Sequence, residues 1–200
     1  MKRMAVVYVL ILLFVTVFLA AMPASGEAAI YEDVIRLHVL AASDTEEDQR
    51  RKLLVRDAVL SEYGDVLSAC REKADAEALV TQLLPDIKRV AEETLRVEGD
   101  TSPVTVTLSC EKYDRRTYDG FTMPAGEYLS LRIVIGGGEG QNWWCVLFPP
   151  LCTELAVKKE YPSTDLPVGL TPDEYELITG DSGAYRVRFK LLEMLAEVLQ

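Results

Sequence analysis

Residues 136–152, GGGEGQNWWCVLFPPLC, contain both tryptophans and two of the four cysteines of the chain. A glycine-rich turn leads into two adjacent tryptophans and a short apolar strand, and the double proline that follows cannot continue a helix. A strand that folds back after the prolines could bring Cys145 and Cys152 within bonding distance. We therefore predict a Cys145–Cys152 disulfide, which would contribute about 2–3 kcal/mol in the chain-entropy model.

Strands are predicted on both sides of the helical part of the chain. Residues 103–109 and 127–135 alternate apolar and polar side chains with a period of two, and 143–148 form the next strand. Short turns, among them Asp119-Gly120, join these late segments, so we expect them to pair antiparallel. Residues 34–40 form an earlier strand, whose three alternating apolar side chains lie opposite Arg36 and His38.

Two long helical stretches lie between the first strand and the later ones. Ser43 or Asp44 should cap the first helix, which we expect to end at Gly64. The second stretch covers about residues 75–98, and Pro85 either kinks it or opens a third helix.

The C-terminal part is predicted to be a loop and two helices. Residues 154–170 have no clear period, Thr171 caps a short helix, and residues 184–199 form a closing amphipathic helix. Because helices and strands are segregated along the chain, the class is α+β. We expect a small, mostly antiparallel sheet with helices packed on one face, in a single domain over residues 27–200.

The composition is that of an acidic globular protein. Hydrophobic residues make up 49% and charged residues 26%, and the formal net charge is −11. This charge argues against nucleic acid as a partner and against adsorption to anionic lipid. The strongest basic cluster, which we interpret as a solvated helix face, consists of Arg50, Arg51, Lys52 and Arg56.

The first 26 residues form a targeting segment. Lys2 and Arg3 precede an uncharged run over residues 4–22, and small residues follow at 24–26. This order is typical of a secretory signal peptide, but the run is also almost long enough for an uncleaved membrane anchor. In both cases the body lies outside the cytoplasm, where disulfides persist. Membrane contact is expected only through this segment, and only if it is uncleaved.

No catalytic or metal-binding constellation is present in the sequence. His38 is the one histidine, and a Cys–His pair would require Cys145 to be reduced. The cysteines form no CxxC motif, and no GxSxG or HExxH occurs. We expect neither an enzyme nor a metal or other cofactor. A second disulfide, Cys70–Cys110, is a further pairing that the sequence allows.

The tryptophan pair is the remaining functional signal. Adjacent residues of a strand face opposite ways, so either both tryptophans are buried or one is free to anchor a partner. The same aromatic surface could stack on a cell-wall sugar. Our candidate partner-binding residues are Gln141, Asn142, Trp143, Trp144 and Phe148, with Arg36 and His38 as a second group.

These residues lie in motifs that resemble the stage II sporulation protein R family. The segments that carry the resemblance are IRLHVLAASD (35–44), EDQ (47–49), KLLVRDAV (52–59), PAGEY (124–128) and QNWWCVLFPPLC (141–152). The resemblance covers residues 34–152, and the last motif is highly specific because tryptophan pairs and double prolines are rare together. Ala42 stands where the family commonly has asparagine.

The resemblance implies an intercellular signal of endospore-forming bacteria. Such a protein is made in the forespore and exported across its membrane into the intermembrane space. There it activates a membrane-embedded aspartic protease of the mother cell, which then processes the sigma-E precursor. The alternative is a wall-binding module or a wall-acting enzyme of the same space.

Overall fold

The computed structural model describes residues 11–13, 27–118, 121–151 and 169–179. Residues 27–180 form one compact unit, and a second unit comprises residues 1–26 and 181–200. Of the second unit only the exposed helical residues 11–13 are described. Within the described ranges, every helix is too short or too polar to cross a bilayer. The predicted targeting segment (apart from 11–13), the Asp119-Gly120 turn, nearly all of the 154–170 loop and the closing helix lie outside these ranges.

The described elements belong to the predicted α+β class. The helices are α1 (Glu27–Asp33), α2 (Glu46–Ser68), α3 (Lys73–Val97) and α4 (Pro172–Thr179). The strands are β1 (Ile35–Leu40), β2 (Val104–Tyr113), β3 (Arg116–Tyr118), β4 (Phe121–Met123), β5 (Gly126–Ile135) and β6 (Asn142–Phe148). The sheet is mostly antiparallel, as predicted, with one parallel strand pair.

The four-stranded sheet has the order β2-β5-β1-β6, and β3 and β4 form a separate hairpin. Strand β5 is antiparallel to β2 and parallel to β1, and β6 is antiparallel to β1. Our expectation that β5 and β6 pair directly is therefore wrong. All six residues of β1 are buried, so this strand belongs in the centre of the sheet rather than at its edge.

Helices α2 and α3 contribute to the core on one face of the sheet. The apolar side chains of β1 point into this core, opposite Arg36 and His38, as predicted. The members without exposed surface are Ile35, Leu37, Val39, Val55, Ala76, Val80, Ala91, Leu131 and Ile133. We call the opposite side of the sheet the outer face.

The boundaries of α2 and α3 differ in part from the prediction. Helix α2 is capped by Thr45, whose hydroxyl accepts a hydrogen bond from the Asp48 N–H at 3.3 Å, and not by Ser43 or Asp44. It continues through Gly64 to Ser68, because the buried Leu67 extends the apolar stripe by another turn. Helix α3 is a single helix with Pro85 inside it.

A second apolar cluster covers part of the outer face. Helix α1, the β3–β4 hairpin and helix α4 contribute to it, and its most deeply buried members are Ile30, Val34, Met123, Tyr128, Val146, Leu151 and Ile178. Helix α4 begins as predicted, since Thr171 and Glu174 bond reciprocally: the Thr171 N–H donates to the Glu174 carboxylate at 2.8 Å, and the Glu174 N–H donates to the Thr171 hydroxyl at 3.3 Å.

Two predictions about individual side chains are wrong. Lys52 does not lie on a solvated face: it is buried, and its ammonium donates to the Gln141 carbonyl at 2.9 Å. Cys70 and Cys110 are both free thiols, so the Cys70–Cys110 disulfide is not formed. Cys70 follows the end of α2, whereas Cys110 is exposed on the edge strand β2.

Candidate partner-binding site

The strand register brings residues that are distant in sequence into one row on the outer face. Arg132 of β5 lies beside His38 of β1, and Trp144 of β6 lies on the other side of His38. Thr107 of β2 completes the row beside Arg132. The row therefore crosses all four strands and has Trp144 at one end.

Trp144 is half-buried and held by three side chains. Its indole stacks on the His38 ring, with centroids 3.6 Å apart and planes inclined by 19°. Tyr113 meets the indole edge-on at 4.9 Å, and the Arg116 guanidinium carbon lies 4.6 Å from its ring centroid. These contacts fix the orientation of an aromatic ring that is still partly accessible.

His38 is buried below Trp144 and is bonded at both ring nitrogens. Its Nδ1 lies 3.2 Å from Glu111 Oε2, and its Nε2 lies 3.1 Å from Asn142 Oδ1. Burial holds the pKa of His38 below its usual value, although the Asn142 and Glu111 contacts favour the charged form. A neutral ring donates only one hydrogen bond. The Glu111 carboxylate can only accept, so Nδ1 carries the proton and Nε2 accepts from the amide group of Asn142, turned so that its nitrogen faces the ring. His38 thus orients Asn142 as well as Trp144.

Glu111 connects His38 to side chains of the neighbouring strands β2 and β5 on the same face. It accepts a hydrogen bond from the Tyr113 hydroxyl at 3.4 Å and lies 3.5 Å from Arg132 Nε. The Tyr113 hydroxyl also lies 2.6 Å from Ser130 Oγ, and burial raises the pKa of Tyr113. The network extends from β2 across β5 and β1 to β6.

Arg36 lies on the same face but is completely buried. Its Nε donates to the Cys145 carbonyl at 3.1 Å, and one terminal nitrogen donates to the Tyr118 hydroxyl at 2.5 Å. The guanidinium carbon lies 4.3 Å from the Tyr113 ring centroid and 5.1 Å from that of Tyr128. Its Nη1 has no hydrogen-bond partner, and Arg36 takes part in none of the ion pairs in the described ranges. Arg36 therefore ties the β3–β4 hairpin to the sheet.

The two tryptophans occupy opposite faces, as the strand periodicity predicts. Trp143 is half-buried on the helix side, where it packs against the core and carries the Arg56 guanidinium 4.8 Å from its ring centroid. Phe148 is buried in that core at 1% exposure. Of the predicted partner-binding residues, the structure brings His38, Asn142 and Trp144 together, and it separates Trp143 and Phe148 from them.

Gln141 is exposed, and its backbone closes the loop that precedes the site. Its N–H donates to the Asp44 carboxylate at 2.7 Å, while its carbonyl accepts from Lys52. The neighbouring Gly140 N–H donates to the Ala41 carbonyl at 3.0 Å. A Cβ at Gly140 would lie 2.2 Å from the Ser43 carbonyl oxygen, so only glycine fits there. Residues 41–44, after β1, and residues 140–141, before β6, therefore hold each other in place.

Glu111, Tyr113 and Arg116, whose side chains contact His38 or Trp144, were not predicted. The alternation in β2 does place Glu111 and Tyr113 on its polar face, but it does not show which strand lies beside β2. Cys145 is buried in the core; its predicted partner, Cys152, lies outside the described ranges, so that disulfide stays a prediction. In the described part of the chain, no three His, Cys, Asp or Glu side chains are grouped to hold a metal ion.

Comparison with known proteins identifies similar sequences. The family model for stage II sporulation protein R matches residues 31–158. Stage II sporulation protein R of Bacillus subtilis strain 168 is 39% identical over 123 residues, which cover 62% of this chain and 55% of that protein. The chain thus matches about half the length of this relative. No solved structure matches.

Proposed function

The chain belongs to the stage II sporulation protein R family, whose members act in sporulation, and we therefore propose that it is an exported protein signal rather than an enzyme. Its receptor is the membrane-embedded aspartic protease of the mother cell that processes the sigma-E precursor. Residues 1–26 direct its export from the forespore into the intermembrane space, and a Cys145–Cys152 disulfide braces the segment after β6. The family membership and the sequence resemblance support this proposal.

The observation that carries the proposal is the fixed but accessible indole of Trp144. Tryptophans of this kind are enriched among the residues that dominate binding energy at protein interfaces. Because His38, Tyr113 and Arg116 already hold the ring, little side-chain entropy is lost when a partner covers it. Asn142, exposed beside it, offers a polar group at the rim.

Activation requires that the signal bind the active state of the protease better than the inactive state. To convert a receptor from about 1% to about 99% active, the two affinities must differ by about 10⁴-fold, or about 5.5 kcal/mol. One buried tryptophan with its neighbours can supply a large share of this difference, since hot-spot residues contribute from about 2 kcal/mol upward. We call His38, Asn142 and Trp144 the outer-face site, and we expect it to contribute most of this difference in affinity.

The test is co-expression with the protease and its sigma-E precursor substrate in a non-sporulating host. Trp144→Ala should abolish precursor processing, whereas Trp143→Ala should retain it. The two changes remove the same side chain from the same strand, and both residues are half-buried, so each controls for the other's effect on folding. Export and thermal unfolding of both variants are measured in parallel. If both variants are exported, folded and fully active, the receptor contact lies elsewhere.

Tests with single substitutions also distinguish the signalling proposal from the wall-binding and wall-acting alternatives. A wall-binding module would sediment with purified peptidoglycan and lose this binding in Trp144→Ala, without any dependence on the protease. A wall-acting enzyme would release peptidoglycan fragments and lose this activity in His38→Ala. Either result, together with no precursor processing by the wild type, would replace the signalling proposal.

A further inference from the structure

Strand β2 is a long, regular edge strand. It pairs over all ten of its residues with β5 and has no strand on its other side among the described elements. The register with β5 contains no bulge. Thr105, Thr107, Ser109 and Cys110 are exposed, so the free edge is accessible. Its unpaired N–H and C=O groups are a template for a further strand.

This edge lacks the features that usually prevent strand addition. Proteins protect their edges with charges, prolines, bulges or very short strands. The segment VTVTLSC, residues 104–110, has no charge and no proline, although the whole chain has a net charge of −11. Two copies of this acidic chain can therefore approach each other along β2 without placing charges in direct opposition.

We propose that β2 pairs antiparallel with β2 of a second copy, about a two-fold axis at Thr107. In this register Thr107 of one copy lies opposite Thr107 of the other. Hydroxyl side chains lie opposite hydroxyl side chains, and apolar side chains lie opposite apolar ones. The remaining pairs are Thr105 with Ser109, Val106 with Leu108, and Val104 with Cys110. Cross-strand pairs of this kind stabilise sheets, and a two-fold interface uses the same surface of both copies.

Charges at the ends of the segment favour this register over its neighbours. Lys112 of one copy lies opposite Ser102 of the other, two residues from Asp100, which has the opposite charge. A shift in one direction would place Lys112 opposite the buried Val104. A shift in the other would bring Pro103, which cannot donate a backbone hydrogen bond, opposite Ser109 and shorten the pair.

The dimer would form one continuous eight-stranded sheet. A two-fold axis perpendicular to the sheet keeps both outer faces on the same side. Seven strand spacings of about 4.8 Å separate the two β6 strands, so the two Trp144 sites would lie about 34 Å apart. The signal would then present two sites towards one membrane. This inference concerns assembly and does not depend on the identity of the receptor.

The first test measures the mass of the full chain in detergent micelles by light scattering over a wide concentration range. A seven-residue strand contact is small for a stable interface, so we expect a reversible dimer with a dissociation constant in roughly the micromolar range. Thr107→Lys and Thr107→Glu should each weaken the dimer by more than about tenfold, because like charges then lie directly opposite. An equal mixture of these two variants should restore it. Thr117→Lys, an exposed threonine of β3, is the matched control and should behave as the wild type.

The second test locates the two-fold axis. Directly opposed residues of antiparallel strands have Cα atoms about 4.5–5.5 Å apart, which permits a disulfide. In a Cys110→Ser background, Thr107→Cys should form a cross-linked dimer on oxidation, and Ser109→Cys should not.

A wild-type chain that stays monomeric at all concentrations, or a dimer that is unchanged by Thr107→Lys, would overturn the proposal. If the wild type is monomeric and Thr107→Lys abolishes capture of the protease, the edge receives a strand of the receptor instead. Precursor processing by the wild type at concentrations at which it is monomeric would leave the proposed signalling function intact, so the two proposals fail independently.

Discussion

Substitution of Arg36 tests whether its buried charge stabilises the fold or is retained at a cost. The side chain is completely buried, and its cationic group is surrounded by tyrosine rings without an ion pair in the described ranges. Removing the charge relieves a desolvation penalty of several kcal/mol. It also removes two hydrogen bonds of a charged donor, each contributing about 1.5–3 kcal/mol, and a desolvated cation–π contact of about 2 kcal/mol.

These opposing terms nearly cancel for a side chain that fills the same space. We expect Arg36→Met to lower the free energy of unfolding by only about 1–2 kcal/mol. Arg36→Ala leaves a cavity in addition and should cost about 3–5 kcal/mol. Arg36→Lys retains the charge but loses the planar group that reaches both the Cys145 carbonyl and the Tyr118 hydroxyl, so it should be worse than Arg36→Met.

Urea denaturation of the purified variants measures these differences, with equal m-values as the condition for comparing them. If Arg36→Lys is tolerated better than Arg36→Met, a charge at this position is stabilising and the reasoning is wrong. The processing assay then separates structure from recognition. Arg36→Met should retain activation, because the side chain has no surface to offer a receptor.

Three further predictions concern the pH dependence of stability, the substitution of two glycines and the labelling of two cysteine thiols. The pKa of His38 is lower in the folded than in the unfolded chain, so the unfolded chain binds more protons below about pH 6.5. The free energy of unfolding should therefore fall as the pH drops from 7 towards 5. His38→Gln should flatten this pH dependence in denaturation curves. Gly140→Ala should lower the melting temperature, because its Cβ would meet a backbone oxygen at 2.2 Å, whereas Gly64→Ala, with nothing within 4 Å in mid-helix, should stabilise by about 0.5–1 kcal/mol. Alkylation of the exported chain, denatured without reductant so that the buried Cys145 is accessible, should leave Cys145 and Cys152 unlabelled until a reductant is added, and their labelling without reductant would refute the disulfide.

Local sequence patterns predicted most of the elements because each depends on neighbouring residues. The period of two located β1, β2 and β5, the apolar run after the glycine-rich turn located β6, and the Thr171–Glu174 capping box located α4. The first N-cap was misassigned because Ser43, Asp44 and Thr45 are all good capping residues. Ser43 instead donates to the Asp48 carboxylate at 2.5 Å, and Asp44 accepts from the Gln141 N–H.

Strand order could not be predicted from local patterns, because it depends on contacts distant in sequence. Proximity along the chain favoured a β5–β6 hairpin, but β1 lies between the two strands. The six-residue β1 carries Arg36 and His38 on one face, which suggested a half-exposed strand. Both side chains are in fact buried by the second cluster and by Trp144.

The candidate site was predicted in part for the same reason. Trp144 and His38 were both selected from the sequence, but their stacking follows from the register between β1 and β6. The role of Lys52 was missed because its contact with the Gln141 carbonyl joins segments 89 residues apart. A basic residue on an amphipathic helix is usually solvated, and only the fold shows this exception.

Photo-cross-linking of the chain to the protease in membranes tests directly whether the site around Trp144 is the receptor contact. Gln141 immediately precedes Asn142 of the outer-face site, is exposed and contributes only backbone atoms to the described hydrogen bonds. A photoreactive residue in its place should cross-link to the protease, and the same residue in place of the exposed Thr81 on α3 should not. Cross-linking from position 81 but not from position 141, in chains that still trigger precursor processing, would contradict the account.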